Sequence, residues 1–233
     1  MTNTETALIV GAGSGLSASL ARLLAKEGAH VAVAARDTAK LAPLVKEIGA
    51  LAITCDAIDA AQVEAMFAGV EGKLGVPDLV IYNASYRTRG PFVTLDPKEV
   101  ERSIAVTAYA GFLVAQAAAK RMLPRGSGAI FFTGASASVK GYAESAPFAM
   151  GKFALRGLAQ SMARELAPKG IHVAHFVIDG GIRQGANDPR PGQRGADGML
   201  SADEIAKTYL HIYGQHRSAW TWEVELRPWV ERF

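Results

Sequence analysis

Apolar residues along this chain fall into short unbroken runs. Each run is followed by a stretch in which apolar positions recur at helical spacing. The first run spans 7–10, and Leu16, Leu20, Leu23 and Leu24 then mark a helix ending near Gly28. The unit repeats at 31–34, followed by Leu41, Leu44, Val45 and Ile48, and at 51–55, followed by Val63, Met66 and Phe67. A fourth run at 79–82 precedes a long alanine-rich helix over about 98–122, and a fifth at 129–133 precedes a helix over about 146–167. A sixth strand at 172–178, a shorter helix near 202–213 and a last strand near 222–226 complete the pattern. Strands apolar on both faces and separated by helices predict an α/β fold. Right-handed crossovers make it a doubly wound parallel sheet of about seven strands, with helices on both faces.

No internal linker interrupts the pattern, so 1–233 is expected to form one domain. The one long irregular stretch is 183–200, with Gly185, Pro189, Pro191, Gly192, Gly195 and Gly198. It follows the carboxyl end of a strand, where ligands bind in such sheets, and is expected to be functional or mobile.

Composition narrows the partners. Hydrophobic residues make up 49%, enough for a sizeable core, and 25 basic against 22 acidic residues leave a net charge of only +3. No Lys/Arg run stands out, so nucleic acid is not an expected partner. The amino terminus is polar without a basic region, and no stretch approaches the ~20 apolar residues of a membrane span. The single cysteine, Cys55, ends an apolar run and reads as a core residue. One cysteine allows no intrachain disulfide, so a reducing, cytoplasmic setting is expected. His172 and His175 lie on opposite faces of one strand, and no metal site is expected.

The chemistry begins at Gly11-Ala12-Gly13-Ser14-Gly15-Leu16-Ser17, between the first strand and the first helix. Glycines let the backbone turn tightly there and come close to a pyrophosphate. The helix amino terminus then offers free N–H groups and a positive dipole end. The spacing G-x-G-x-x-G fails at Leu16. The pattern G-x-x-x-G-x-G fits Gly11 and Gly15 and meets Ser17 in its last place. With Tyr82-Asn83-Ala84-Ser85 after the fourth strand, Lys152 in Phe148-Ala149-Met150-Gly151-Lys152, and Asp179-Gly180-Gly181-Ile182, the chain resembles the short-chain dehydrogenase/reductase family over nearly its whole length.

The resemblance implies a Rossmann-like fold, a nicotinamide cofactor and a small-molecule substrate. It implies cofactor contacts at Gly11, Gly13, Ser14, Gly15, Leu16, Asn83, Ala84, Lys152, Gly180 and Ile182. It also implies a homodimer or homotetramer, for which an exposed alanine face at Ala108, Ala115 and Ala119 is the expected surface. Members using NAD carry an acid at the end of the second strand. Here Ala35 holds that place, and Arg36 follows, suited to a 2′-phosphate. NADP(H) is therefore favoured over NAD(H), with Asp56 either toward the adenine or at a helix start, and Asp37 starting the next helix.

The family's proton relay is mostly missing. Its tyrosine place is Phe148, its asparagine place Thr107, its serine place Ala135, and the threonine after Pro-Gly is Gln184. Lys152 stands, and Ser136 and Tyr142 are the nearby hydroxyls that remain candidates, with Tyr86 in the loop after the fourth strand. Two functions stay open. One is an oxidoreductase of divergent mechanism acting on a small carbonyl, alcohol or enone. The other is a nucleotide-binding pseudoenzyme or sensor without turnover. A dehalogenase-like loss of the cofactor fits less well, because Gly11, Gly13 and Gly15 leave the nucleotide pocket open.

Overall fold

The computed structural model describes residues 5–183, 188–195 and 197–231. Its order is β1 (Thr6–Val10), α1 (Leu16–Lys26), β2 (His30–Ala35), α2 (Ala42–Ile48), β3 (Leu51–Thr54), α3 (Ala60–Leu74) and β4 (Leu79–Tyr82). Then come α4 (Pro97–Ile104), α5 (Ala110–Met122), β5 (Gly128–Thr133), α6 (Ala146–Leu166) and β6 (Ile171–Ile178). A short α7 (Arg190–Arg194), α8 (Ala202–Tyr213) and β7 (Glu223–Leu226) finish the described chain. The seven strands form one sheet in the order β3-β2-β1-β4-β5-β6-β7, every neighbouring pair parallel.

Alternation along each strand sorts the core into two layers. Leu8 and Val10 of β1 pack with Val63, Phe67, Ala110, Val114 and Leu155 on the side of α3, α5 and α6. Ala7 and Ile9 pack with Leu20, Leu24, Leu44, Ile205 and Tyr209 on the side of α1, α2 and α8. Covering both faces is what makes continuous apolar strands stable in water. Helix starts follow local chemistry. The Asp59 carboxylate accepts from the N–H groups of Ala61 and Gln62 to cap α3, and Asp96, followed by Pro97, caps α4 through the N–H of Lys98.

The helix expected over 98–122 is not uniform. Between α4 and α5 it widens into a π-turn at Ala105–Tyr109, which contains Thr107. The Tyr82 hydroxyl donates to the Val106 carbonyl inside this turn, so the end of β4 supports it. The expected alanine surface is corrected as well. Ala115 is buried, Ala119 packs against the core, and Ala108 is only partly exposed. Small side chains let α5 lie close to the sheet and to α3. The exposed large apolar residues of this stretch are Tyr109 and Phe112, whose rings stack 6.3 Å apart.

The stretch at 183–200 is not wholly irregular. It contains α7, and Ile182 makes a parallel bridge to Leu200. The Arg190 guanidinium donates to the Ile182 carbonyl (2.9 Å) and pairs with Asp188 (2.7 Å). Gln184 lies outside the described residues.

The two-layer packing sets an expected outcome. Phe67 is wholly buried between α3 and the sheet, whereas Trp229 is 81% exposed. Phe67→Ala should lower stability by about 3–5 kcal/mol, and Trp229→Ala should change it by no more than about 0.5 kcal/mol. Denaturant unfolding of the two variants measures both, and equal losses would contradict the assignment of Phe67 to the core.

Candidate active site

β1 pairs with β2 on one side and β4 on the other, so its onward connection and that of β4 leave toward opposite faces. A crevice opens above their carboxyl ends. Two cavities lie in it. One, of about 450 Å³, is lined by Gly11, Gly13, Ser14, Gly15, Leu16 and Ser17 of the glycine loop, by Asn83, Ser85, Thr133, Gly134 and Ala135, and by Phe148, Lys152 and Ile182. The other, of about 340 Å³, is lined by Gly11, Ala12, Arg36, Asp37, Lys40, Cys55, Asp56, Asn83 and Ala84, among others. They share Gly11, Asn83 and Ser85 and so adjoin.

The glycine loop is shaped for a ligand. Gly11 has φ +83, and a Cβ there would come within 2.4 Å of the Ala84 nitrogen, so only glycine lets the loop lie against the end of β4. A Cβ at Gly13 or Gly15 would meet no atom within 4 Å, so those glycines border open space. No side chain caps α1, and its first turn holds no acid. The N–H groups at its start are left for an anion, as the phosphates of a dinucleotide require. Ser17 stands in the third glycine's place. Its hydroxyl donates to the Gly11 carbonyl (3.3 Å) and accepts from the Asn83 amide (2.6 Å). The Asn83 side chain therefore braces the loop from β4.

At the end of β2, Arg36 is exposed at the second cavity, and Lys40 joins it there. The sequence pattern offered no reason to single out Lys40, although it lies one helical turn beyond Arg36. Asp37 accepts from the Ala39 N–H (3.1 Å) and pairs with Lys40 (3.3 Å), so it begins the next turn as expected. Asp56 also borders this cavity, its carboxylate accepting from the Ile58 N–H at 3.4 Å. The Cys55 thiol is buried beside it. Burial first, then Asp56 and Asp59, pushes that thiol up to about 11, which leaves it protonated and unreactive.

Among the described residues, Lys152 is the one buried ammonium facing the first cavity. It is 3% exposed, and its Nζ donates to the Thr133 carbonyl at 2.7 Å. Burial pulls it down to about 7. Phe148, one turn earlier on α6, shares the cavity, with Lys152 Nζ 5.7 Å from its ring centre. Gly151 between them is forced by packing, since a Cβ there would come within 2.8 Å of Thr107 Cβ. Thr107 itself is buried, and its hydroxyl accepts from the Tyr86 N–H (3.3 Å).

The remaining candidates separate. Ala135 lines the cavity, whereas Ser136 is half-buried outside its lining, and the Ser138 hydroxyl is spent accepting from the Ala135 N–H (3.1 Å). Tyr142 is exposed outside that lining, with its ring 5.9 Å from Lys140 Nζ. The Tyr86 hydroxyl is held by Glu99 at 2.5 Å. Ile182 lines the cavity, but Gly180 does not. At Gly180 a Cβ would come within 2.8 Å of Pro228, so this glycine serves packing against the last described turn. His175, facing away from His172, is wholly buried, with Nδ1 3.0 Å from Glu223, and burial pulls it down to about 4. Among the described residues, no three His, Cys, Asp or Glu side chains group as metal ligands. No helix among them is long and apolar enough to cross a membrane.

Known proteins resemble this chain in sequence and fold. The (+)-borneol dehydrogenase 1 of Salvia officinalis is 31% identical over 231 residues, covering 92% of this chain and 88% of that protein. A short-chain dehydrogenase from Rhodopseudomonas palustris is 35% identical and superposes with a TM-score of 0.83 over 97% of this chain and 99% of its own. A variant of the actinorhodin polyketide ketoreductase, solved with NADPH, gives a TM-score of 0.89 at 25% identity, with 98% of each chain covered. The family model for short chain dehydrogenase matches residues 5–187, from β1 past the lysine of α6. The glycine loop, the buried lysine and this match together make the chain a member of the short-chain dehydrogenase family, an oxidoreductase family that binds NAD(P) on a Rossmann fold.

Proposed function

We propose that this protein is an NADP-dependent oxidoreductase acting on a small carbonyl, alcohol or enone, with proton delivery altered from the family's tyrosine. The observation that carries this is Lys152. A buried ammonium on a single backbone carbonyl, facing the cavity that the glycine loop opens, suits a ribose and a reacting oxygen better than any packing role. A bound nicotinamide would supply or accept the hydride. The start of α1 and the loop N–H groups would hold the pyrophosphate, with Arg36 and Lys40 at a 2′-phosphate and Asp56 toward the adenine. The ketoreductase solved with NADPH supports the same cofactor.

With Phe148 in the tyrosine's place and Ala135 in the serine's, no described side-chain hydroxyl stands between Lys152 and the cavity mouth in the family's manner. Lys152 is the group left to hold or move a proton at the substrate oxygen, and its lowered pKa makes it a competent acid near neutrality. The same replacements favour the second reading, a nucleotide-binding sensor without turnover. Losing one acid costs a rate factor on the order of 10²–10⁴ rather than all catalysis. That arithmetic leaves the enzyme reading ahead.

We further propose self-association through the exposed face of α5 and α6. Tyr109 at the end of the π-turn, Phe112 of α5, and Met150 and Phe153 of α6 are all exposed. Large apolar side chains grouped on a surface mark interaction sites.

Three outcomes are expected. Arg36→Ala should weaken NADPH binding on the order of tenfold or more and leave NADH unchanged, by calorimetry. Equal parent affinities for the two nucleotides would remove the NADP assignment. Light scattering should give a multiple of 24.6 kDa for the parent and a smaller assembly for Phe112→Glu; a monomeric parent would end the oligomer proposal. In a ketone and enone panel followed by NADPH absorbance, parent reduction should fall as pH rises through about 7, because Lys152 is the acid only while protonated. Phe148→Tyr should raise ketone reduction and weaken that pH dependence. A panel with no turnover in either protein, despite NADPH binding, would favour the sensor.

A further inference from the structure

The loop after β4 places Arg87 against Phe148, a residue that lines the Lys152 cavity, with Arg89 near it. Ser85 lines that cavity, and Arg87 follows two residues later. The Arg87 guanidinium lies over the Phe148 ring, 5.0 Å from its centre. Lys152 Nζ is 5.7 Å from the same centre, so the ring is shared by two cations, each within cation–π range. The loop is tied down close by, since the Gly90 N–H donates to the Glu144 carbonyl at 3.1 Å, in the turn that leads into α6.

Charge at this mouth is unbalanced. Among the described residues, neither Arg87 nor Arg89 makes a hydrogen bond or ion pair to an acid. The surrounding acids have other partners. Glu99 holds the Tyr86 hydroxyl and lies 3.9 Å from Arg102. Asp179 holds Lys140 at 3.1 Å and lies 3.9 Å from Arg227. Glu144 is exposed and reaches the arginine loop through its backbone carbonyl. Burial, with Arg89 next, lowers Arg87 from the ordinary arginine range, the signature of a cation lacking a counter-ion. Arg87 is exposed, yet its guanidinium lies over the ring of the helix that carries Lys152 rather than beside an acid. A planar guanidinium held this way presents its free N–H edge for bidentate pairing with a carboxylate or phosphate.

We infer that the substrate of this site carries an anionic group, a carboxylate or a phosphate ester, which Arg87 holds across the Phe148 ring from Lys152. This deepens the oxidoreductase reading and rests on it for the reacting carbonyl or alcohol. The phenyl ring acts as the platform that aims the guanidinium. Arg89 adds steering charge at the rim.

Calorimetry on the full chain loaded with NADP⁺ tests this with matched probes: benzoate and benzamide, phenyl phosphate and phenol, 4-oxopentanoate and its methyl ester. The anion of at least one pair should bind tenfold or more tightly than its neutral match. Arg87→Gln should remove that margin while NADP⁺ affinity stays within about twofold of the parent. Phe148→Leu, which keeps an apolar side chain but removes the platform, should reduce the margin in part. No anion preference in any pair, or a preference that survives Arg87→Gln, overturns the inference. So does a parallel loss of NADP⁺ affinity in Arg87→Gln, which would assign this arginine to the cofactor. A chain that fails to bind NADP⁺ at all sinks the proposed function instead. The same probes titrated into the unloaded chain then still decide whether Arg87 selects anions.

Discussion

Everything functional in this protein depends on the reversal of strand order around β1. Because β2 and β4 flank it, the crossovers that leave β1 and β4 run to opposite faces of the sheet, and neither covers the gap above β1 and β4. The chain cannot fill that crevice from within without losing the connections that cover the rest of the sheet. Gly11 fits this constraint from below. Its positive φ and its closeness to Ala84 keep the first loop flat against the end of β4, so the space above stays open. The Asn83 amide and the Ser17 hydroxyl tie the loop and strand ends together at 2.6 Å. The brace is polar but self-contained, so it does not compete with a ligand for the N–H groups at the start of α1.

A buried ammonium then has to be tolerated beside that opening. Lys152 meets one carbonyl and no carboxylate, which explains why burial alone moves it. Beneath it, burial also disfavours the charged form of His175, against the pull of Glu223. His175 is wholly buried against Gly134, and Glu223 on β7 binds both His175 (3.0 Å) and the Arg156 guanidinium (2.6 Å). Glu223 thus satisfies Arg156 on α6 from the edge of the sheet, one turn beyond Lys152 on the same helix. The network fixes α6 to β6 and β7 and leaves Lys152 as the one cation of this helix turned to the cavity. A lysine paired with Glu223 would have a raised pKa and could not serve as an acid near neutrality.

The sequence made the sheet legible because its strands are apolar on both faces, and two-sided burial leaves that trace in the residues themselves. The doubly wound architecture was readable in this way, the glycine loop from its glycines, and the Phe148 and Lys152 positions from their four-residue offset within a family resemblance. What was misread depends on neighbours distant in the chain. An alanine stripe on a helix is compatible with exposure or with close packing. Only the position of α3 and the sheet makes Ala115 a core residue and leaves Tyr109 and Phe112 outside. The π-turn at Thr107 has no signature in the residues of α4 or α5, since a hydroxyl on β4 supports it. Lys40 and Arg87 were missed for a related reason. A lone cation in a loop looks solvated until the cavity that it borders is known.

Replacing a tyrosine by phenylalanine is usually read as the loss of an acid. On the proposed reading, with Phe148 in the tyrosine's place, it also changes what the ring can bind. A phenol beside Lys152 would offer its oxygen to the ammonium, and its negative form would satisfy both neighbouring cations. A phenyl ring offers only its face, which attracts Arg87 and Lys152 weakly and neutralises neither. On that reading the site has an unmet demand for negative charge next to the position where hydride transfer would occur. A neutral ketone leaves that demand unmet. A substrate that carries its own anion satisfies it on binding, and binding energy gained there, away from the reacting carbon, can orient the carbonyl toward Lys152. On this view the missing hydroxyl and the free arginine are two parts of one change, in which recognition has shifted toward the charge on the substrate.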